Sequence, residues 1–178
     1  MILGLSVQIF TIIHVIISLV AIASGFIVVF GMIGSHRLPK LTALFWVMTV
    51  LTSVTGFMFL LVPGLVKGLT PATATGIVAT VVFLIALFAL YAKHLYGKWR
   101  WIYAVTAVMS LYLNVFVLIV QSFQKLSILN PLAPSVGPPF AEPQNFQFLI
   151  AQVAALVISV ALGIVAAFKF RPDPSLPA

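Results

Sequence analysis

Five apolar runs, each near the length that crosses a bilayer, dominate this chain, and its positive charges collect in alternate gaps between them. The runs cover residues 7–33, 41–62, 73–92, 101–120 and 146–168, against the ~20 residues that span ~30 Å of hydrocarbon. With 63% hydrophobic residues, 6% charged residues and a mean hydropathy of +1.26, the chain has too little polar surface to cover a water-soluble domain. The expectation is an all-α fold: one integral membrane domain over residues 1–178, built as a bundle of five transmembrane helices. The first run has no charged residue ahead of it and no small-residue cleavage site after a short apolar stretch. It therefore reads as a retained helix and not a signal peptide. There is no cysteine, so disulfides, thiolate metal sites and thiol nucleophiles are excluded.

Lys and Arg flanking short loops are retained in the cytoplasm. Arg37 and Lys40 follow the first run, Lys93, Lys98 and Arg100 the third, and Lys169 and Arg171 the fifth, whereas the opposite gaps hold only Lys67 and Lys125. Seven of the nine basic residues thus predict an outer N-terminus and a cytoplasmic C-terminus. Trp46, Trp99, Trp101, Tyr91, Tyr96 and Tyr103 fall near the same helix ends, where amphipathic rings favour the headgroup layer. The net charge of +7 is spread along these flanks and forms no dense basic face with stacking aromatics, which argues against nucleic acid. Its expected partner is the anionic lipid headgroup at the cytoplasmic face.

Helical spacing marks the inward faces. The first helix carries Val7, Thr11, His14, Ser18, Ala21 and Gly25 on one stripe, the second Thr49, Thr52 and Gly56, and the third Thr73, Gly76 and Thr80. The fourth carries Ala107, Ser110, Asn114, Val117 and Gln121, and the fifth Asn145, Phe148, Gln152, Ala155 and Ser159. Small residues allow close approach of helices in lipid, and polar ones bond across the interface. A second pattern on the fifth helix, Ala151, Ala155, Ser159, Gly163 and Ala167, is a ridge that serves a neighbour in the same chain or a second protomer.

Counted from the predicted outer ends at ~1.5 Å per residue, His14, Thr55, Asn114 and Gln152 fall roughly 12 Å deep. With Gln121 above them they are the candidate ligand-binding residues, and with Gln8 and Gln124 they outline a funnel whose cavity opens outward and is closed towards the cytoplasm. An intramembrane His is a functional candidate, and it is equally a structural knot if its ring nitrogens find Asn114, Gln152 or nearby threonines. Haem and quinone are the cofactors such a site would suit. His36 and His94 lie at the other side of the membrane, too far from His14 to share a haem, and stand either as a surface pair for metal or haem or as ordinary interfacial histidines. No metal site is assigned.

The only acidic residues are Glu142 and Asp173, neither within a predicted helix, which disfavours proton-coupled carriers and pumps. No phosphate loop, HExxH, GxSxG or inverted repeat with broken helices occurs. The gap at residues 123–145 holds Pro131, Pro134, Pro138, Pro139 and Pro143 among Leu126, Ile128, Leu129, Leu132, Val136 and Phe140. Proline excludes helix there, and the apolar residues predict a segment lying on the outer surface or capping the funnel.

The run from His14 to Gly25 followed by Gly34-Ser35-His36-Arg37-Leu38, and the stretch from Asn114 through Asn130-Pro131-Leu132-Ala133-Pro134 to Pro138-Pro139-Phe140, resemble small bacterial polytopic membrane proteins of the DUF2306-like kind. The resemblance implies a multi-pass protein of the bacterial cytoplasmic membrane and supplies no activity. Three functions are carried forward: a non-enzymatic accessory or structural subunit of a homo-oligomer or larger complex; a binding protein for a lipid-soluble ligand such as quinone, haem or lipid; and a membrane redox haem protein.

Overall fold

A computed structural model describes residues 2–62, 71–129 and 146–171. Among them the secondary structure is helical, with α1 at Val7–Ile33, α2 at Pro39–Met58, α3 at Pro71–Leu87, α4 at Trp99–Lys125 and α5 at Phe146–Lys169. A 3₁₀ turn, Phe59–Leu61, extends α2, and a π turn, Phe88–Ala92, extends α3. All five segments are long and apolar enough to cross a membrane.

The helix boundaries have local causes. Ser6 caps α1, its Oγ accepting from the Ile9 N–H at 3.3 Å, which satisfies one of the four orphan donors of a helix start. Gly34 stops α1, and Pro39 at the first turn of α2 uses a position where the missing N–H costs nothing. Beyond residue 120, Gln121, Ser122, Gln124 and Lys125 lower the hydropathy but are not helix breakers, so α4 runs to Lys125. The Pro-rich gap therefore starts after α4 ends, not at residue 123, and its residues 130–145 lie outside the described residues.

Helices α1 to α4 each pack on the next, α4 also closes against α1, and α5 lies against α4 and touches α1. The α1/α2 pair is antiparallel, in register through Phe10 with Phe59 (5.2 Å between ring centres), His14 with Thr55, and Gly25 with Phe45. The α4/α5 pair is in register through Phe123 with Phe148 (5.4 Å), Phe116 with Gln152, Val108 with Gly163, and Tyr103 with Phe170 (6.0 Å). Val28, Val29, Met32, Phe45, Trp46, Phe83, Ala86, Leu90, Tyr103 and Ala107 form a dense core. It fills the half of the bundle nearer Arg37, Arg100 and Arg171. Thr11, His14, Thr52 and Asn114 in the other half are only partly buried.

Two expectations change here. Trp46 and Tyr103 are core residues, 3% and 2% exposed, not headgroup anchors, because the core reaches down to the first turns of α2 and α4. Tyr91, Tyr96 and Trp101 are exposed, as interfacial rings would be. The small-residue ridge of α5 is used within the chain, since a Cβ on Gly163 would lie 3.7 Å from Val108 Cγ1 on α4. That is ordinary contact, so Gly163→Ala is expected to leave stability unchanged or raise it by up to ~1 kcal/mol, the helix-propensity difference. Gly163→Leu is expected to push α5 off α4 and lower the midpoint of thermal unfolding followed by circular dichroism in detergent.

Candidate functional site

His14 sits on the half-buried face of α1 against α2. Its Nδ1 lies 2.7 Å from Thr55 Oγ1, its ring meets Phe59 edge-on at 5.5 Å, and Gly56 leaves room for its Cε1. The Thr55 hydroxyl has one proton, and it donates to the Leu51 carbonyl at 2.6 Å. The Thr55 hydroxyl can instead donate to Nδ1, so the contact fixes the ring's position while the tautomer sets which partner donates. No described residue donates to Nε2.

The depth of the other candidates is set by a close approach between α1 and α4. A Cβ on Gly25 would come within 2.9 Å of Leu111 Cδ1, so these antiparallel helices are level at that pair. Eleven residues back from Gly25 is His14, and ten beyond Leu111 is Gln121. His14 and Gln121 are therefore level, while Asn114 lies seven residues, or ~10 Å, deeper. The expected single layer of His14, Thr55, Asn114 and Gln152 is replaced by two tiers. For Asn114 the cause is the extension of α4 by more than a turn past its predicted end, and Gln152 joins it through the α4/α5 register at Phe116.

The upper tier is His14, Thr55 and Gln121. The lower one holds Asn114 and Gln152, the latter donating through Nε2 to the Phe116 carbonyl at 3.3 Å. By the α1/α2 register Thr49 belongs with them, and Ser110 lies one turn below Asn114. No hydrogen bond among the described residues joins His14 to Asn114 or Gln152. Gln8 and Gln124, placed in the funnel from sequence, are both exposed.

Unsatisfied polar atoms gather in these tiers, although Trp46 Nε1 in the core is also without a partner among the described residues. Asn114 Nδ2, Gln121 Oε1, Gln152 Oε1, Thr49 Oγ1 and Ser110 Oγ are buried atoms without a hydrogen-bond partner. Hydroxyls elsewhere in these helices do the ordinary thing and donate back to the preceding turn, as Thr11, Ser18, Ser24, Thr52, Thr80 and Thr106 do at 2.7–2.8 Å. Thr49 and Ser110 do not. A buried polar atom left unbonded costs about 1–3 kcal/mol, and in hydrocarbon no water is at hand to lower that cost. Ser110, Asn114 and Gln121 share one face of α4, at steps of four and seven residues.

The cavities described lie at the other end of the bundle. The larger, of about 310 Å³, is lined by Arg37, His94, Leu95, Tyr96, Gly97, Arg100 and Arg171. The smaller, of about 30 Å³, is lined by His36, Arg37, Thr42, Tyr103 and Phe170 among others. The dense core between the polar tiers and this end separates the two regions. His36 and His94 line different cavities, and among the described residues no group of three His, Asp or Glu side chains forms a metal-ligand cluster. The sequence assigns the arginines to orientation and to anionic headgroups but not to a shared cavity; their one common signal is that all three fall in gaps on the same side.

Comparison with protein-family models, with curated proteins and with solved structures gives no match. The DUF2306-like resemblance is thus carried only by the residues quoted for it, and function has to be argued from the tiers themselves.

Proposed function

We propose that this is a multi-pass protein of the bacterial cytoplasmic membrane that binds a lipid-soluble ligand with hydrogen-bonding groups, of the quinone, haem or polar-lipid kind, in the polar tiers. One observation carries the reading: the set of buried, unpartnered polar atoms on α2, α4 and α5. A bundle held together by interhelical amide bonds would pair these groups with one another, whereas a buried group without a protein partner calls for another explanation, of which a ligand is one. His14 fits the same role, with an orienting bond on Nδ1 that would leave Nε2 for a ligand. The His14 ring nitrogen, the Asn114 amide and the Gln152 oxygen together suit a ligand that offers both a donor and an acceptor. The orientation with an outer N-terminus follows from the basic residues, and the polar tiers then lie in the outer half.

The test is native mass spectrometry with a visible spectrum on protein extracted gently from its own membrane. A co-purified haem, quinone or lipid in the wild type, lost by at least tenfold in His14→Ala, is the expected result. Ligand-free protein held to copies of itself or to other subunits would overturn the reading in favour of an accessory subunit. The α5 ridge lends that alternative no support, because Gly163 is taken up by α4.

A further inference from the structure

We propose that the cavity at the basic end of the bundle is a binding site for a phosphate group, separate from the polar tiers. The chain has three arginines and six lysines. All three arginines, Arg37, Arg100 and Arg171, line this one cavity, and no lysine does. If the charges served topology alone, lysine and arginine would be interchangeable. They differ in that guanidinium is a planar fork that grips phosphate through two parallel hydrogen bonds, while ammonium is a point charge. The segregation of arginine into the cavity is what phosphate recognition requires.

The arginines come from three places in the chain and are held together by structure. Arg37 lies in the α1–α2 connection, Arg100 in the first turn of α4, and Arg171 just past α5. The Arg171 backbone N–H donates to Ser35 Oγ at 2.9 Å, and Phe170 beside it is buried, so the end of α5 is pinned to the α1–α2 connection. His94, Leu95 and Gly97 supply the rest of the wall and all have positive φ, at 48°, 62° and 56°. Two successive side-chain-bearing residues in this region cost on the order of 1–3 kcal/mol each. The π turn leads into the strained segment, its Lys93 N–H reaching the Phe88 carbonyl at 3.0 Å, and buried Leu95 anchors it. Both irregularities are features that cluster at binding sites.

Electrostatics give the sign of the ligand. Among the described lining residues of this cavity of about 310 Å³ there is no carboxylate, and its charged side chains are all cationic. Arg37 has a further interaction within the chain, so Arg100 and Arg171 carry the weight. The wall also includes the start of α4, whose cap residue Lys98 makes no side-chain bond to the first turn, leaving the positive end of the helix dipole unopposed. Exposed Tyr96 and Trp101 put this end at headgroup depth. A phosphate reaches it either on an anionic lipid headgroup or as a soluble phosphate compound, and the chemistry of recognition is common to both.

The experiment is native mass spectrometry of the full chain in neutral detergent, titrated with phosphatidylglycerol, with phosphatidylcholine of the same acyl chains, and with inorganic phosphate. Phosphatidylglycerol is expected to be held over phosphatidylcholine by on the order of tenfold. The double variant Arg100→Ala/Arg171→Ala should abolish that preference, and Lys40→Ala/Lys169→Ala, which removes equal charge outside the cavity, should keep it. Inorganic phosphate bound by the wild type but not by the arginine double variant, with no preference between the lipids, would assign the site to soluble phosphates and sustain the proposal. Two results would overturn it: no arginine-dependent binding of either probe, or equal loss in the arginine and lysine variants, which would indicate a diffuse surface field. Should the alanine pair fail to fold by circular dichroism, Arg100→Lys/Arg171→Lys keeps the charge and removes the fork. A severalfold loss is expected there, and undiminished binding would refute the guanidinium assignment.

Discussion

Gly25→Leu is expected to destabilise the bundle where three helices meet. At this position α1 meets both α2 and α4, and even a Cβ would fall 2.8 Å from Phe45 Cε2 and 2.9 Å from Leu111 Cδ1. Real Cβ contacts are essentially never that short, so something must shift. The Leu111 methyl has little space to turn into, since Leu111 is buried in the core, and Phe45 is fully buried with its ring 4.6 Å from that of Trp46 at a 45° tilt. Overpacking of this kind costs about 1–3 kcal/mol where the surroundings can shift, and four added carbons at a three-helix junction belong at or above the top of that range. For a chain of this size ~3 kcal/mol corresponds to a fall of roughly 6–12 °C in Tm. Thermal unfolding in detergent, followed by circular dichroism, measures it, with Gly163→Ala as the control. A midpoint within a degree or two of the wild type would show that α1 and α2 are not in the register described.

The second large effect is one of opposite signs on stability and binding. Asn114→Leu replaces an amide whose Nδ2 is buried and unbonded by an apolar group of similar size. Removing an unsatisfied buried polar group relieves a cost of about 1–3 kcal/mol, so the ligand-free variant is expected to unfold several degrees above the wild type. The same change removes a donor from the lower tier, so the co-purified ligand should fall by tenfold or more. The combination separates the two roles of a polar layer. If Asn114 were structural glue, Asn114→Leu would destabilise the protein, because its bonding partner would be stranded in hydrocarbon. Higher stability with lost ligand is the signature of a group retained for binding at a cost to the fold.

The membrane-spanning architecture was legible because lipid imposes a simple rule of length and hydropathy, and α1 and α5 begin at the residues the hydropathy indicates. The inward faces were legible as well. Ala21, Gly25, Thr49, Ala107, Ser110 and Gln152 were placed inward by helical spacing and are buried, since in lipid small and polar residues turn away from the acyl chains. The pairing of His14 with Thr55 was within reach because the connection between α1 and α2 is short and fixes them as antiparallel neighbours.

Relative depth was not legible. It depends on where each helix ends, and α4 continues past residue 120 through Gln121, Ser122, Gln124 and Lys125, which lower hydropathy without breaking a helix. That extension separates Asn114 from His14 and splits one expected layer into two. Nor could the sequence show that Thr49 and Ser110 forgo the backbone bond that other helical hydroxyls make.

The sequence by itself determined that the chain folds as membrane-spanning helices, which faces turn inward, and which connections carry the positive charge, because these follow from hydrophobic length, helical period and charge position, all local quantities. Only the tertiary structure decided that the small ridge of α5 is spent on α4, that Trp46 and Tyr103 belong to the core, and that three arginines from distant parts of the chain share one cavity with His94. Those outcomes depend on the register and crossing of helices far apart in sequence, fixed by close contacts such as Gly25 against Phe45 and Leu111, which no local pattern encodes.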